Sequence, residues 1–293
     1  MNFNAYCIEC LVSGQAKLAA TQNDEAKALC YMKDVLREIL NAPENVAAPY
    51  LLSRFEELFE RYYYPGDRYL EIKEKSNSYA LEKEPLVGKI VQNAADPLLA
   101  GLKFARLGNY LDFAALRCVD MAVFDELIAH GLDEPLDREE YSHFRRDLAG
   151  ARKLLYITDN AGEIVFDRVF IEVLQTAFPK LDICVGVRGK PIVNDATRKD
   201  AEEAGLAELV RIVDNGTSIS GTQIQYLSPE MKSELFSADV ILAKGQGNFE
   251  TLQGCGLNVY YVFLCKCDWF VKLFNVPQLT GMFMNEKRLS LQA

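Results

Sequence analysis

Leu154-Leu155-Tyr156-Ile157-Thr158-Asp159-Asn160-Ala161-Gly162-Glu163-Ile164-Val165-Phe166-Asp167 decides the fold of this chain: an apolar run ends in an acid-amide doublet and then enters a helical pattern. In a parallel α/β sheet ligands gather outside the carboxyl ends of the strands, so Asp159 and Asn160 stand where a metal or a phosphate is expected. The same letters also fit a capping box, with Asn160 as cap and Glu163 three residues on, which would only satisfy free amides of a helix start.

The runs 153–158, 182–188, 209–213, 239–243 and 259–264 are short, continuously apolar and rich in β-branched residues, and helical stretches separate them. That alternation is the mark of strands buried on both faces, hence of a parallel sheet with helices on each side. Upstream the pattern is helical. Leu29, Met32, Leu36 and Ile39 or Leu40 recur at the three-and-four spacing of a core-facing stripe, with Pro43 beyond the end. Pro49 suits a first helical turn, followed by an apolar face of Leu52, Phe55, Leu58 and Phe59. Further helices are expected over 73–82, 86–93, 98–107, 114–130 and 137–148. The expected class is therefore α/β, a doubly wound, mostly parallel, three-layer α/β/α sheet over 151–293, preceded by an all-helical domain over 1–150.

Among 293 residues, 49% are hydrophobic and 25% charged, as in ordinary globular proteins, and no apolar run approaches the roughly 20 residues that span a membrane. The first residues carry no basic segment followed by an apolar stretch, so cytoplasmic residence is the default expectation. A net charge of -10 argues against binding to a nucleic-acid backbone. A small anionic substrate would need a local basic pocket or a metal. The eight cysteines read as thiols or metal ligands rather than as a disulfide framework. Cys7-Ile8-Glu9-Cys10 and Cys265-Lys266-Cys267 could be core thiols, an incidental repeat or parts of a four-thiolate zinc site, which would require the two ends of the chain to meet.

Three strand ends carry chemistry. The first holds Asp159 and Asn160, the second runs through Arg188 and Gly189 to Asn194 and Asp195, and the fourth ends in Lys244-Gly245-Gln246-Gly247-Asn248. Asp195 and Asn248 could each cap a following helix. Taken together, two carboxylates and a carboxamide are hard oxygen ligands suited to Mg2+ or Mn2+, with Co2+ and Ni2+ also accessible. Lys244 beside two glycines can hold phosphate oxygens. The lysine lacks the following Ser or Thr of a Walker A loop, and Ala161 stands where an aspartyl-phosphate enzyme has its second Asp. Direct attack by an activated water is the simpler expectation.

With these residues in view the chain resembles the damage-control phosphatase superfamily, a group also discussed as protein carboxyl methyltransferases. The resemblance rests on Thr158-Asp159-Asn160-Ala161-Gly162-Glu163, on Pro191-Ile192-Val193-Asn194-Asp195-Ala196-Thr197, on Ala243-Lys244-Gly245-Gln246-Gly247-Asn248-Phe249-Glu250, and on Gly108-Asn109-Tyr110-Leu111-Asp112-Phe113. Cys7 and Cys10 point to its compact Cys-x-x-Cys branch. It implies a metal-dependent phosphatase of small phosphorylated metabolites, with Asp159, Asn160 and Asp195 on the metal and Lys244 on the phosphate. Glu163 or Asp167 would orient the attacking water. Asn160, Arg188, Lys244, Gly245, Gly247 and Asn248 make up the expected substrate-binding set. Asp112 could simply cap a helix beginning near Phe113, or Asn109 and Asp112 could brace the pocket from the helical half without touching metal, and neither His130 nor His143 lies near a strand end. The competing readings are an S-adenosylmethionine-dependent methyltransferase, whose glycine-rich first turn is missing here, and a metal- or metabolite-binding protein without turnover.

Overall fold

The computed structural model describes residues 1–112 and 121–289. Among the described residues seven helices come first: α1 (Ala5–Ala20), α2 (Glu25–Leu40), α3 (Ala48–Tyr62), α4 (Leu70–Gln92), α5 (Pro97–Gly108), α6 (Met121–Ala129) and α7 (Arg138–Gly150). Strands and helices then alternate as β1 (Lys153–Ile157), α8 (Glu163–Ala177), β2 (Asp182–Val187), α9 (Arg198–Glu203), β3 (Arg211–Asp214), α10 (Pro229–Ser237), β4 (Val240–Lys244), α11 (Gln246–Leu252), β5 (Val259–Leu264), α12 (Asp268–Phe274) and β6 (Gly281–Asn285). The spatial order is β3-β2-β1-β4-β5-β6, with β1 to β5 parallel and β6 antiparallel to β5. Because β1 is flanked by β2 on one side and β4 on the other, the order reverses there, and the region beyond their carboxyl ends is the switch-point crevice where ligands of such sheets gather.

The pleat divides the apolar side chains between two cores. Leu154, Tyr156, Val185, Leu242 and Val262 face helices α4 to α8, whereas Leu155, Ile157, Ile241, Ala243 and Phe263 face α10 to α12. This is the three-layer α/β/α arrangement. The expected boundary near Gly150 coincides with the end of α7, yet the first core runs across it: Ala80, Leu102, Phe104 and Phe144 pack with strand residues. Only α1 to α3 enclose a core of their own, around Tyr31, Leu51, Phe55 and Leu58. Sharing the core fixes α5 against α8, and that contact carries residues of the helical half into the crevice.

Four local expectations need correction. The α2 face turns differently: Tyr31 and Val35 are fully buried while Leu29, Leu36 and Leu40 are 56%, 48% and 83% exposed, because α1 and α3 pack on the aromatic side. In α3, Leu51 takes the buried place expected of Leu52. Helices over 73–82 and 86–93 are a single α4 with Pro85 inside it, a position that sacrifices one backbone hydrogen bond. The edge strand β6 is a further element that the apolar pattern did not mark; only Phe283 and Asn285 of its five residues are buried. Of the helix expected over 114–130, residues 121–129 are helical and 114–120 lie outside the described residues.

Candidate active site at the carboxyl ends of β1, β2 and β4

The turn after β1 and the turn after β2 are sewn together by their backbones. Ala196 N donates to Asp159 O at 2.7 Å, Ala161 N donates to Asn194 O at 2.9 Å, and Asn160 bridges Asp195 in antiparallel fashion. Sequence-distant Asp159, Asn160 and Asp195 thereby share one buried spot, 6%, 2% and 1% exposed. None of them spends its side chain on capping. Helix α8 starts at Gly162, whose φ of 77° suits glycine and whose N–H is taken by Asn77 Oδ1 at 2.7 Å. Glu163 does reach back to Asn160 N at 3.3 Å, but Asn160 Oδ1 accepts from Asn194 Nδ2 at 3.0 Å instead of closing a capping box. Thr197 caps α9, which frees Asp195 to accept from Arg188 Nε at 2.6 Å and from Ser220 Oγ at 2.8 Å.

Asn109 reaches the site from the end of α5. Its Nδ2 donates to Asp159 Oδ2 at 3.0 Å and Glu163 Oε2 at 2.9 Å, while its Oδ1 accepts from Leu264 N. Asn160 Nδ2 makes the same two donations, each at 2.9 Å. Four donor contacts thus orient two acids that would otherwise repel each other. Asp159 Oδ1 lies 3.7 Å from Arg188 Nη2. Burial first, then the charges of Glu163, Asp195 and Asp112, hold the Asp159 carboxyl well above its usual range, and Arg188 pulls the other way. Burial also raises Asp195, against Arg188. Such shifts mark negative charge that the protein alone leaves under-compensated.

Lys244 is placed otherwise than expected. It is fully buried, and its three protons go to Glu163 Oε1 at 2.6 Å, Asp167 Oδ1 at 2.6 Å and Ala105 O at 2.7 Å. No donor remains for a phosphate, so the expectation that Lys244 holds the substrate is corrected to that of a counter-ion beneath the site. Burial works to lower its pKa, and Asp167 and Glu163 more than offset this. Asp167 lies in the same layer, hydrogen-bonded by Tyr156 OH at 2.6 Å, with burial pushing its carboxyl up to about 6. Glu163 Oε2 is saturated by Asn109 and Asn160, so Glu163 and Asp167 position the acids above them rather than face the crevice.

The β4 turn departs from the phosphate cradle as well. Asn248 uses both amide protons on Thr158 O and Lys244 O and accepts from Thr222 Oγ1 and Arg188 Nη1, tying β4 to β1. A Cβ on Gly247 would lie 2.1 Å from Ser220 O, and one on Gly245 2.0 Å from Asp159 Oδ2. The close approach that these glycines permit is to the protein's own atoms. With φ at 80°, Gly245 has no room for a side chain; Gly245→Ala is expected to cost about 2 kcal/mol in urea unfolding and to weaken binding at Asp159.

Two groups enter the site without having been anticipated. Lys266, directly after the Cys265 that follows β5, is 7% exposed and pairs with Asp112 at 2.7 Å. Asp112 raises both Asp159 and Asp195, which puts the pair at the same crevice. Its signal was a lysine following an apolar strand beside β4. The other is the hydroxyl-rich turn after β3 that carries Ser220 and Thr222. His130 and His143 lie elsewhere, against Asp133 and Glu140. Cys7 and Cys10 do come near Cys267, since Tyr6 stacks on Trp269 with ring centres 5.1 Å apart. Among the described residues, however, no group of three or more His, Cys, Asp or Glu side chains is arranged to hold a metal; the four-thiolate site is not formed. No described helix is long and apolar enough to cross a membrane.

Asp159, Asn160 and Asp195, two carboxylates and an amide, form a different kind of donor set. Around it Asp112, Asp159, Glu163, Asp167 and Asp195 stand against Arg188, Lys244 and Lys266. With all ionised, two negative charges are left over, the charge of one divalent cation, and the hard oxygens fit Mg2+, Mn2+, Co2+ or Ni2+.

A solved structure shares this fold over nearly the whole chain. A crystal structure of a DUF89 family protein from Pyrococcus horikoshii superposes with a TM-score of 0.83 at 26% identity, covering 98% of this chain and 99% of that one. A damage-control phosphatase of the same organism is 31% identical over 222 residues, 75% of each chain. One from Archaeoglobus fulgidus is 30% identical over 205 residues, 69% of this chain and 70% of its own. The model of the damage-control phosphatase ARMT1-like domain matches residues 3–280, and the chain, with its acids gathered at the β1 and β2 turns, belongs to that family.

Proposed function

We propose that this protein is a divalent-metal-dependent phosphatase of small phosphorylated metabolites, such as sugar phosphates or their damaged forms. Relatives named damage-control phosphatases support a phosphatase role in general. The observation that carries the metal is the convergence of Asp159, Asn160 and Asp195 on one buried spot where acidic side chains outnumber basic ones. When bound, a divalent cation would supply positive charge to the phosphoryl oxygens and acidify water.

The protein's own residues supply the rest. Asn109 and Glu163 hold Asp159 and Asn160 in one orientation, and Lys244 anchors Glu163 below them. Ser220 does the same for Asp195. Lys266, like Arg188, is a cation with donors to spare at the site, so we assign it, in place of Lys244, to the substrate phosphate, released from Asp112 on binding. A lysine fixed where charge develops is commonly worth about a hundredfold in rate. Lys266→Ala should therefore lower kcat/KM by about that factor while Mn2+ affinity stays within about twofold; equal kinetics in both proteins would return Lys266 to a packing role.

Phosphate release from a panel of phosphorylated sugars and cofactors, with Mn2+, Co2+, Ni2+ or Mg2+ added and with chelator as control, tests the whole reading. Turnover that survives complete chelation would refute metal dependence, and no release from any ester would refute the phosphatase.

A further inference from the structure

Arg188 follows the last residue of β2, and its backbone N–H is fixed on Ala196 O at 2.9 Å. Its side chain is buried between the two candidate carboxylate ligands. Nε donates to Asp195 Oδ2 at 2.6 Å, and Nη2 stands 3.7 Å from Asp159 Oδ1, too far for a hydrogen bond. Nη1 makes only a long contact, 3.4 Å, to Asn248 Oδ1. Nη2 is thus a fully buried donor with no hydrogen-bond partner in the described structure. Leaving a charged donor unmet in the interior is costly unless another state of the molecule meets it. A planar guanidinium fork matches the oxygens of a phosphoryl group.

The location sets up a competition. A divalent cation on Asp159 and Asp195 would be repelled by the guanidinium and would contend with it for the same oxygens. A phosphate arriving beside the cation would reverse the sign, since it attracts both. We propose that Arg188 couples the two ligands: it neutralises Asp159 and Asp195 while no cation is bound, and turns its free donors to the phosphoryl group once the cation takes over those carboxylates. This rests on the metal-dependent phosphatase reading above. Coupling is reciprocal, so phosphate must tighten cation binding by the same factor that the cation tightens phosphate.

The test uses the intact protein, Mn2+ alone and inorganic phosphate, titrated by calorimetry. In the parent, saturating phosphate should tighten Mn2+ about tenfold. Arg188→Gln should bind Mn2+ alone roughly fivefold more tightly than the parent, because a repelling charge and a competitor are gone. It should bind phosphate at least about tenfold more weakly and show a coupling factor near one. A residue that merely props up Asp195 predicts the opposite sign for Mn2+. Should removal of the charge prevent folding, Arg188→Lys keeps the cation and loses the fork, and is expected to fold and still lose the coupling. Weaker Mn2+ binding in Arg188→Gln, or a coupling factor equal to the parent's in either variant, overturns the proposal. A parent that binds Mn2+ without any coupling to phosphate overturns it while leaving metal dependence standing; a parent that binds no divalent cation removes both.

Discussion

Asp159→Ala should bind Mn2+ at least about a hundredfold more weakly than the parent and lower turnover on the order of a thousandfold. The substitution deletes one of the two carboxylates proposed as ligands and leaves the Asn109 and Asn160 amide protons, which meet Asp159 Oδ2 at 3.0 and 2.9 Å in the parent, to find other acceptors. It also removes a buried carboxyl whose charged form is disfavoured by burial and by the neighbouring acids. The variant should therefore be no less stable than the parent when no metal is added. That combination, lost binding without lost stability, separates a ligand from a structural acid. Calorimetry against Mn2+ reads the first half and urea unfolding in chelator the second. Unchanged Mn2+ affinity would take Asp159 out of the site.

How much of this was legible from the residues alone differs between backbone and side chains. The five parallel strands were, because strands buried on both faces must be apolar throughout, and nothing else in the chain imitates 153–158 or 259–264. The edge strand β6 was not: three of its five residues are only partly buried, so Gly-Met-Phe-Met-Asn carries no such run. The gathering of Asp159, Asn160 and Asp195 followed from topology, since all strand ends of a parallel sheet point the same way. The direction of individual side chains did not follow. Nothing in Ala-Lys-Gly-Gln-Gly-Asn tells whether the lysine at the last position of β4 points up into the crevice or sideways into the core. The pleat decides it, and places Lys244 against Ala105 of α5 and the first turns of α8. Lys266 escaped notice for the converse reason. Its neighbours are two cysteines that drew attention to soft metals, and its partner Asp112 lies 154 residues away.

Lys244→Ala should destabilise the protein by about 3–5 kcal/mol, the usual cost of removing one partner from a buried ion pair. The reason is geometric. Glu163 and Asp167 are fully buried, each 2.6 Å from the same ammonium, and without it two anions face each other in the interior with Asp159 just above. Urea unfolding at neutral pH measures the loss. Adding Asp167→Asn to the same chain removes one of the stranded charges and should recover a large part of it, a coupling that independent sites do not show. The former expectation, a lysine on the substrate phosphate, predicts a different pattern: stability near that of the parent and a raised KM. A Lys244→Ala protein as stable as the parent would restore that reading. Loss of stability with recovery in the double variant would instead establish that the acids beneath this site rest on a buried cation, which removes Lys244 from contact with the substrate.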